Sequence, residues 1–399
     1  MNSIVLACSF VLAALEPLSP VGGKSVALVP DAQKRVMAPE KVADRIKVLQ
    51  TDRAGDKRIK HDKLWKKSLP FVLELKATDG EKGPWKVLLG KQPDLSDART
   101  IYLREAKIKD GVVRIELPRA NLEIGTHYWW KAVSWGRCGS SCPPNHTCEP
   151  RKRRAETPVS DFVTEDVAPR WIALAGEVAN VRDLGGRIGL NGRRVRQGMV
   201  FRGQGLNANS ATGEAPGPSR LTVEDVRTLT ETLGVRTDLD LRTKGEIVDM
   251  TVSPLGPSVR FVNHSSATYR DIFKSYNKAT MAKNVRVFCD RANYPVYFHC
   301  IAGADRTGAL AYMLLGALGV SQHDAEVDWE STFYPTIPDE DATRNDREAL
   351  FLEGLSKYGG ADASWNDRVV LYLKDCGITD AELAALREIL LEDAKEAGR

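Results

Sequence analysis

The chain has 399 residues, 42% of them hydrophobic, with 57 basic and 53 acidic side chains and a formal net charge of +4. That length accommodates roughly two or three domains with a large core. The near balance of charge gives no footing for a nucleic-acid partner and does not define a substrate.

Residues 3–15 (SIVLACSFVLAAL) form an uncharged apolar run that stops at Glu16. It is too short to span a bilayer and fits the apolar core of a secretory signal peptide over 1–23, so export to the periplasm, cell surface or medium is expected. The competing readings are a buried N-terminal strand, a misplaced start, or a lipoprotein box at Val5 to Cys8. No later segment reads as a membrane span. Residues 24–67 are polar and Lys-rich (DRAGDKRIKHDKLWKK) and read as a leader or linker.

From 68 to 165 the texture changes to strand-length runs bounded by turn residues: PFVLELKA, WKVLLG, RTIYLRE, VVRIEL, THYWWKAVSW and SDFVTED. Short strands at this spacing imply an all-β antiparallel sandwich. Cys138, Cys142 and Cys148 crowd one stretch of it (CGSSCPPNHTC). In an exported protein two of them would pair; the other readings are free loop thiols, or a zinc site with His146 whose spacing matches no finger pattern. DVAPR, residues 166–170, reads as a junction, with Pro169 interrupting regular structure.

Residues 166–399 alternate helix and strand. LTVEDVRTLTETL (221–233) predicts a helix with Thr222 as N-cap and Glu224 and Asp225 in its first turn. A strand follows over Val235 to Leu241, then a helical patch near Tyr276, a strand from Tyr294 to Phe298, an apolar helix from Ala309 to Leu318 and a terminal helix from Asp380 to Lys395. This order implies an α/β domain with a mostly parallel sheet flanked by helices. Cys289 and Cys376 read as small packed hydrophobes.

The segment YPVYFHCIAGADRTGALAYMLLGALGV (294–320) runs from a buried strand through a tight loop into an apolar helix, a place where α/β folds bind phosphate. Five residues, Ile301, Ala302, Gly303, Ala304 and Asp305, separate Cys300 from Arg306, enough for a loop to curl around one phosphate with its N–H groups inward. Gly303 permits the backbone angles this needs, and Arg306 grips two oxygens through its planar fork. Ringed by these groups, Cys300 is expected to be a thiolate and to attack phosphorus. Asp240, at a strand end, reads as the partner of an arginine or an N–H cluster. Arg182 and Asp183 are expected to pair with each other or with the core, and Arg202 to make a surface or structural salt bridge rather than line the pocket.

HCIAGADRTG resembles the signature loop of the protein tyrosine phosphatase superfamily: His-Cys, five residues, Arg, then Ser or Thr. NVRDLGG (180–186), VFRGQGL (200–206), LGVRTDLDLRTKGE (233–246) and the tail from Leu371 to Leu390 resemble its bacterial branch of secreted tyrosine- and lipid-directed phosphatases. The likeness covers about residues 170–395. It implies that Cys300 becomes a phosphocysteine, that Arg306 stabilises the transferring phosphoryl group, that residues 301–306 bind it, that Thr307 helps the thiolate leave, and that His299 holds the loop. No metal or other cofactor is implied. For the general acid it leaves two residues: Asp305 inside the loop, and Asp271 (TYRDIF), 29 positions before Cys300, where the WPD tripeptide of many relatives is absent. Ala304 stands where phosphoinositide-directed relatives often carry Lys, which weakens the case for a multiply phosphorylated substrate. In the N-terminal region LEIGTHY, with Leu122, Gly125, Thr126 and Tyr128, resembles the tyrosine-corner segment of fibronectin type III domains. The expected function is a protein tyrosine phosphatase, with Ser and Thr as further targets, acting on a phosphorylated protein or small phosphomonoester. Its sandwich is expected to bind a protein or glycan partner. The alternatives are a phosphoinositide or inositol phosphate phosphatase, and a phosphate-recognising binding protein that would have no need of the Cys300 thiol.

Overall fold

The computed structural model of the chain describes residues 13–55, 68–76, 83–135, 153–332 and 341–393. They fall into two units, one from residues 1–28, 70–120 and 124–166, the other from 29–69, 121–123 and 167–399. Cys138, Cys142 and Cys148 lie outside the described residues. Among the described residues no helix is long and apolar enough to cross a membrane.

Among its described residues the first unit is built of strands that form two β-sheets. One sheet pairs Phe71–Lys76 with Val112–Leu117, with Pro17–Ser19 and Lys107–Lys109 at its two sides; the other is built on His127–Trp135, which pairs with Trp85–Gly90, Arg153–Glu156 and Ser160–Thr164. Side chains alternate along a strand, so Phe71, Leu73 and Leu75 are buried on one face with Val113, Ile115 and Leu117. Phe71 stacks on Phe162 of the other sheet with ring centroids 4.7 Å apart. The pairing is not purely antiparallel as expected, because Lys24–Val26 runs parallel to Ser160–Thr164. The described part of the expected signal peptide, 13–23, contributes to these sheets: Pro17–Ser19 is a strand, Leu15 is buried, and the Trp130 indole donates to the Pro20 carbonyl at 2.9 Å.

In the second unit a six-stranded sheet has the order Arg170–Trp171, Arg182–Asp183, Val200–Gly203, Val296–His299, Thr237–Asp240, Arg260–Asn263. The last four are parallel and the first two antiparallel additions. Along Val296–His299 the side chains of Val296 and Phe298 enter one apolar cluster and that of Tyr297 another, so the sheet is covered on both faces and the strand reads as a continuous apolar run. The helix Asp305–Ala317 is buried over nearly its whole length, which explains its lack of a polar face. Thr222 caps its helix as expected, its hydroxyl accepting from the Asp225 N–H, but the element is α-helical only over Val223–Arg227 and widens to a π-turn over Thr228–Thr232.

The expectation of an unpacked leader over 24–67 does not hold for its described part, 24–55, and residues 56–67 lie outside the described residues. Lys24–Val26 belongs to the first unit, whereas Asp31–Met37 and Val42–Gly55 are helices of the second. Val29, Val36 and Met37 pack with Val327, and the Trp171 indole donates to Gln33 Oε1 at 3.2 Å. The composition of the segment is that of a linker; a few apolar side chains and one arginine, given partners by the fold, hold its two described helices.

Candidate active site

Val200–Gly203, Val296–His299 and Thr237–Asp240 are parallel and in register, so their C-terminal ends coincide: Gly203 and Asp240 both lie opposite His299. The chain leaves the sheet there through residues 300–304 and enters the helix that begins at Asp305. Gly303 has φ +68, and a Cβ on it would collide with the carbonyl of Gly203, so only glycine fits.

The carbonyls of this loop are tied outward. The Cys300 carbonyl lies 3.1 Å from His299 Nδ1, the Ile301 carbonyl accepts from Gly205 N at 3.1 Å, and Ala302 and Gly303 accept from the Asn180 amide at 3.1 and 3.2 Å. Arg202 Nη2 adds a 2.7 Å bond to the Gly303 carbonyl. In a trans peptide the C=O and the following N–H point in opposite directions, so these ties turn the N–H groups to the inside of the loop. The result is an anion cradle at a helix N-terminus.

Cys300 is 3% exposed. Burial alone would raise its pKa, but the Thr307 hydroxyl and N–H, the Arg306 charge and the Gly303 N–H outweigh it and hold the thiol below its ordinary value. The Thr307 hydroxyl is buried without a conventional hydrogen-bond partner, which leaves it to the sulfur. Arg306 is held by two bonds, Nη1 and Nη2 to the Glu246 carboxylate at 2.7 and 2.9 Å. Burial lowers its basicity, yet Glu246 and the thiolate raise it further, so it stays charged.

Glu246 is a site residue that sequence reading did not single out. It closes a capping box, accepting from Thr243 N at 2.6 Å, and the Arg306 bonds followed by the Thr243 contacts bring its pKa down to about 2 despite partial burial. At neutral pH it carries no proton to donate. The T-x-x-E spacing at 243–246 announces a helix start; the ion pair across 60 residues has no sequence signal.

His299 is fully buried between two carboxylates, with Nε2 3.0 Å from Asp238 and Nδ1 3.9 Å from Asp240. Burial would lower its pKa, but the charges of Asp240 and Asp238 push it up to about 9, so it is an imidazolium that donates to the Cys300 carbonyl. Asp240 is gripped by Arg242, Nη2 at 2.7 Å, in agreement with its structural reading. Asp238 accepts from the Ser253 hydroxyl at 2.6 Å.

Beneath the loop, Asp328 of the helix Gln322–Ser331 gathers three buried arginines: Arg182 Nε at 3.0 Å, Arg187 Nη2 at 3.1 Å, and Arg202 Nη1. Burial would raise its pKa, but the three guanidinium charges hold it far below the usual carboxylate range. Arg182 and Asp183 do not pair with each other: Asp183 accepts from Arg170 at 2.8 Å. Successive strand residues face opposite sides of a sheet, which forbids the pairing. Asn180 and Asp328 were also missed by sequence reading.

The two acid candidates are separated. Asp305 opens the helix beside the loop. Asp271 lies in the turn Tyr269–Phe273 with its carboxylate 54% exposed and bonded to Lys274 at 2.7 Å, outside the network around Cys300. Among the described residues no group of three or more His, Cys, Asp or Glu is arranged to hold a metal ion.

A model of the tyrosine phosphatase family matches residues 173–392, more than half of the chain. A Cupriavidus necator protein, whose name gives tyrosine-protein phosphatase as an unproven activity, is 32% identical over 173 residues. The match covers 37% of this chain and 58% of that protein, so less than two thirds of the relative is represented. Among solved structures, the core catalytic domain of the PP-IP phosphatase SIW14 from S. cerevisiae, crystallised with citrate, matches 42% of this chain and 94% of its own at 14% identity. The TM-score of 0.23 is too low to define a common fold.

Proposed function

Given that the chain belongs to the tyrosine phosphatase family, we propose that it hydrolyses phosphomonoesters, foremost those of tyrosine in proteins, through a phosphocysteine on Cys300. The observation that carries this reading is a buried thiol of lowered pKa in a loop whose carbonyls are all tied outward, faced by an arginine held by Glu246. The Cys300 thiolate attacks phosphorus and the P–O bond to the leaving group breaks. Asp305 gives that oxygen a proton. Arg306 and the inward N–H groups hold the three equatorial oxygens as charge spreads over them. Water then attacks the phosphocysteine, Asp305 takes its proton, and the Thr307 hydroxyl supports the departing thiolate.

Asp305 is preferred over Asp271 because it shares the loop, whereas Asp271 is bonded to Lys274 at the surface. Ala304, in place of a second cation, favours a singly phosphorylated substrate over an inositol polyphosphate. The all-β unit is proposed as a fibronectin type III-like module for a protein or glycan partner of an exported enzyme, on its two sheets and the LEIGTHY segment.

The test is a panel of phosphotyrosyl and phosphoseryl peptides, phosphoinositides and inositol phosphates, with Cys300→Ser as the blank. Turnover of phosphotyrosine that vanishes in Cys300→Ser, while phosphate still binds, is expected. Near wild-type activity in that variant would refute the mechanism, and a preference for inositol phosphates would refute the substrate.

A further inference from the structure

We propose that Arg45 is a positioning residue for the phosphate loop, acting through the helix Gln322–Ser331. It comes from the helix Val42–Gly55 in the segment whose composition reads as a linker, yet it is only 1% exposed. Its Nε and Nη2 donate to the two oxygens of Glu330 at 2.7 and 2.8 Å, and Nη2 also reaches Glu326 at 2.8 Å. Nη1 lies 2.8 and 2.6 Å from the carbonyls of Pro39 and Glu40 and 3.1 Å from His323 Nδ1.

Glu326 and Glu330 are four residues apart and share one face of their helix. Asp328, two positions from each, projects about 200° away at roughly 100° per residue. The helix therefore bridges two buried ionic clusters. On its far side Asp328 holds Arg202, which bonds the Gly303 carbonyl, and Thr332, just past the helix, bonds Asn180, which carries the Ala302 and Gly303 carbonyls. Without Arg45, carboxylates that are 7% and 8% exposed would be left buried with no guanidinium. Turning the helix to hydrate them carries Asp328 and the loop supports along. A second contact runs the same way: Gln33 accepts from Trp171, whose ring lies 5.3 Å from the Arg182 guanidinium.

The inference rests on the reading of Cys300 as nucleophile, and its test does not require turnover. In the full chain, alkylation of the Cys300 peptide by iodoacetamide is followed by mass spectrometry across pH for wild type, Arg45→Met and Arg45→Lys, with Tm measured alongside. The thiol pKa is expected to rise by about one pH unit in Arg45→Met, and kcat on an aryl phosphate to fall on the order of tenfold with KM changed less. Arg45→Lys keeps the charge without the fork and should lie between. Where Arg45→Met does not fold, Arg45→Lys carries the comparison. A lowered Tm with an unmoved thiol pKa in the folded variant is the mark of a merely structural role and overturns the proposal. Wild-type protein that hydrolyses no phosphomonoester would refute the proposed function and leave this alkylation result standing on its own.

Discussion

Glu246→Gln separates the orientation of Arg306 from its mere presence. The substitution keeps the shape of the side chain but replaces two acceptor oxygens by one, and turns an NH2 group toward a guanidinium that can only donate. In the folded chain the Glu246 pKa falls from 4.5 to about 2, which at about 1.4 kcal/mol per pH unit sets a ceiling of roughly 3–4 kcal/mol on the stabilisation of the carboxylate. Its side chain is 22% exposed, so solvent screening brings the expected loss to about 1–2 kcal/mol. Arg306 released from the fork samples poses that do not meet the phosphoryl oxygens, and kcat/KM on a phosphotyrosyl peptide should fall about 5–30-fold, with affinity for an oxyanion such as tungstate falling in parallel. The pH dependence has a definite sign. A carboxylate whose folded pKa lies below the unfolded value contributes stability above 4.5 and loses it as pH falls toward 2. The gap in Tm between wild type and Glu246→Gln should therefore close between pH 4.5 and pH 2. An unchanged kcat/KM and tungstate affinity in the variant would refute the reasoning, as would a Tm gap that persists at pH 2.

Asp305→Asn should slow hydrolysis of phosphotyrosine by tenfold or more relative to an activated aryl phosphate, since only the poor leaving group needs a proton; selective loss in Asp271→Asn instead would move the acid to the upstream turn, and equal losses on both substrates would make Asp305 structural. Asp328→Asn leaves three buried guanidinium groups around a neutral amide and should cost about 3–5 kcal/mol in denaturant unfolding, and a loss under about 1 kcal/mol would dismiss the network as a support. Gly303→Ala meets both the positive φ and the Gly203 carbonyl, so oxyanion binding and turnover should be lost together while the far-UV circular dichroism is kept; retained tungstate binding would show that the loop tolerates a side chain.

The proposed phosphate loop could be picked out from the sequence because its key residues are local. Cys300, Gly303 and Arg306 lie within seven consecutive residues, so the spacing that would let a loop curl around one phosphate is visible in a short stretch of sequence. The same holds for the apolar run of Val296–His299, the Thr222 cap and the buried helix that follows Asp305, each set by short-range periodicity. The groups that make the loop work come from elsewhere. Glu246 meets Arg306 because the sheet order sets Thr237–Asp240 beside Val296–His299. Asp328 meets Arg182, Arg187 and Arg202 because its helix, Gln322–Ser331, packs against Asp305–Ala317, and Arg45 reaches Glu330 over 285 residues. Polar residues in a surface-like pattern carry no mark of the charge they will meet; residues 24–67 read as a linker. Only the tertiary structure decides which of those charges are buried. A buried charge is tolerated only opposite another, so each such pairing is a property of two distant segments and of neither alone.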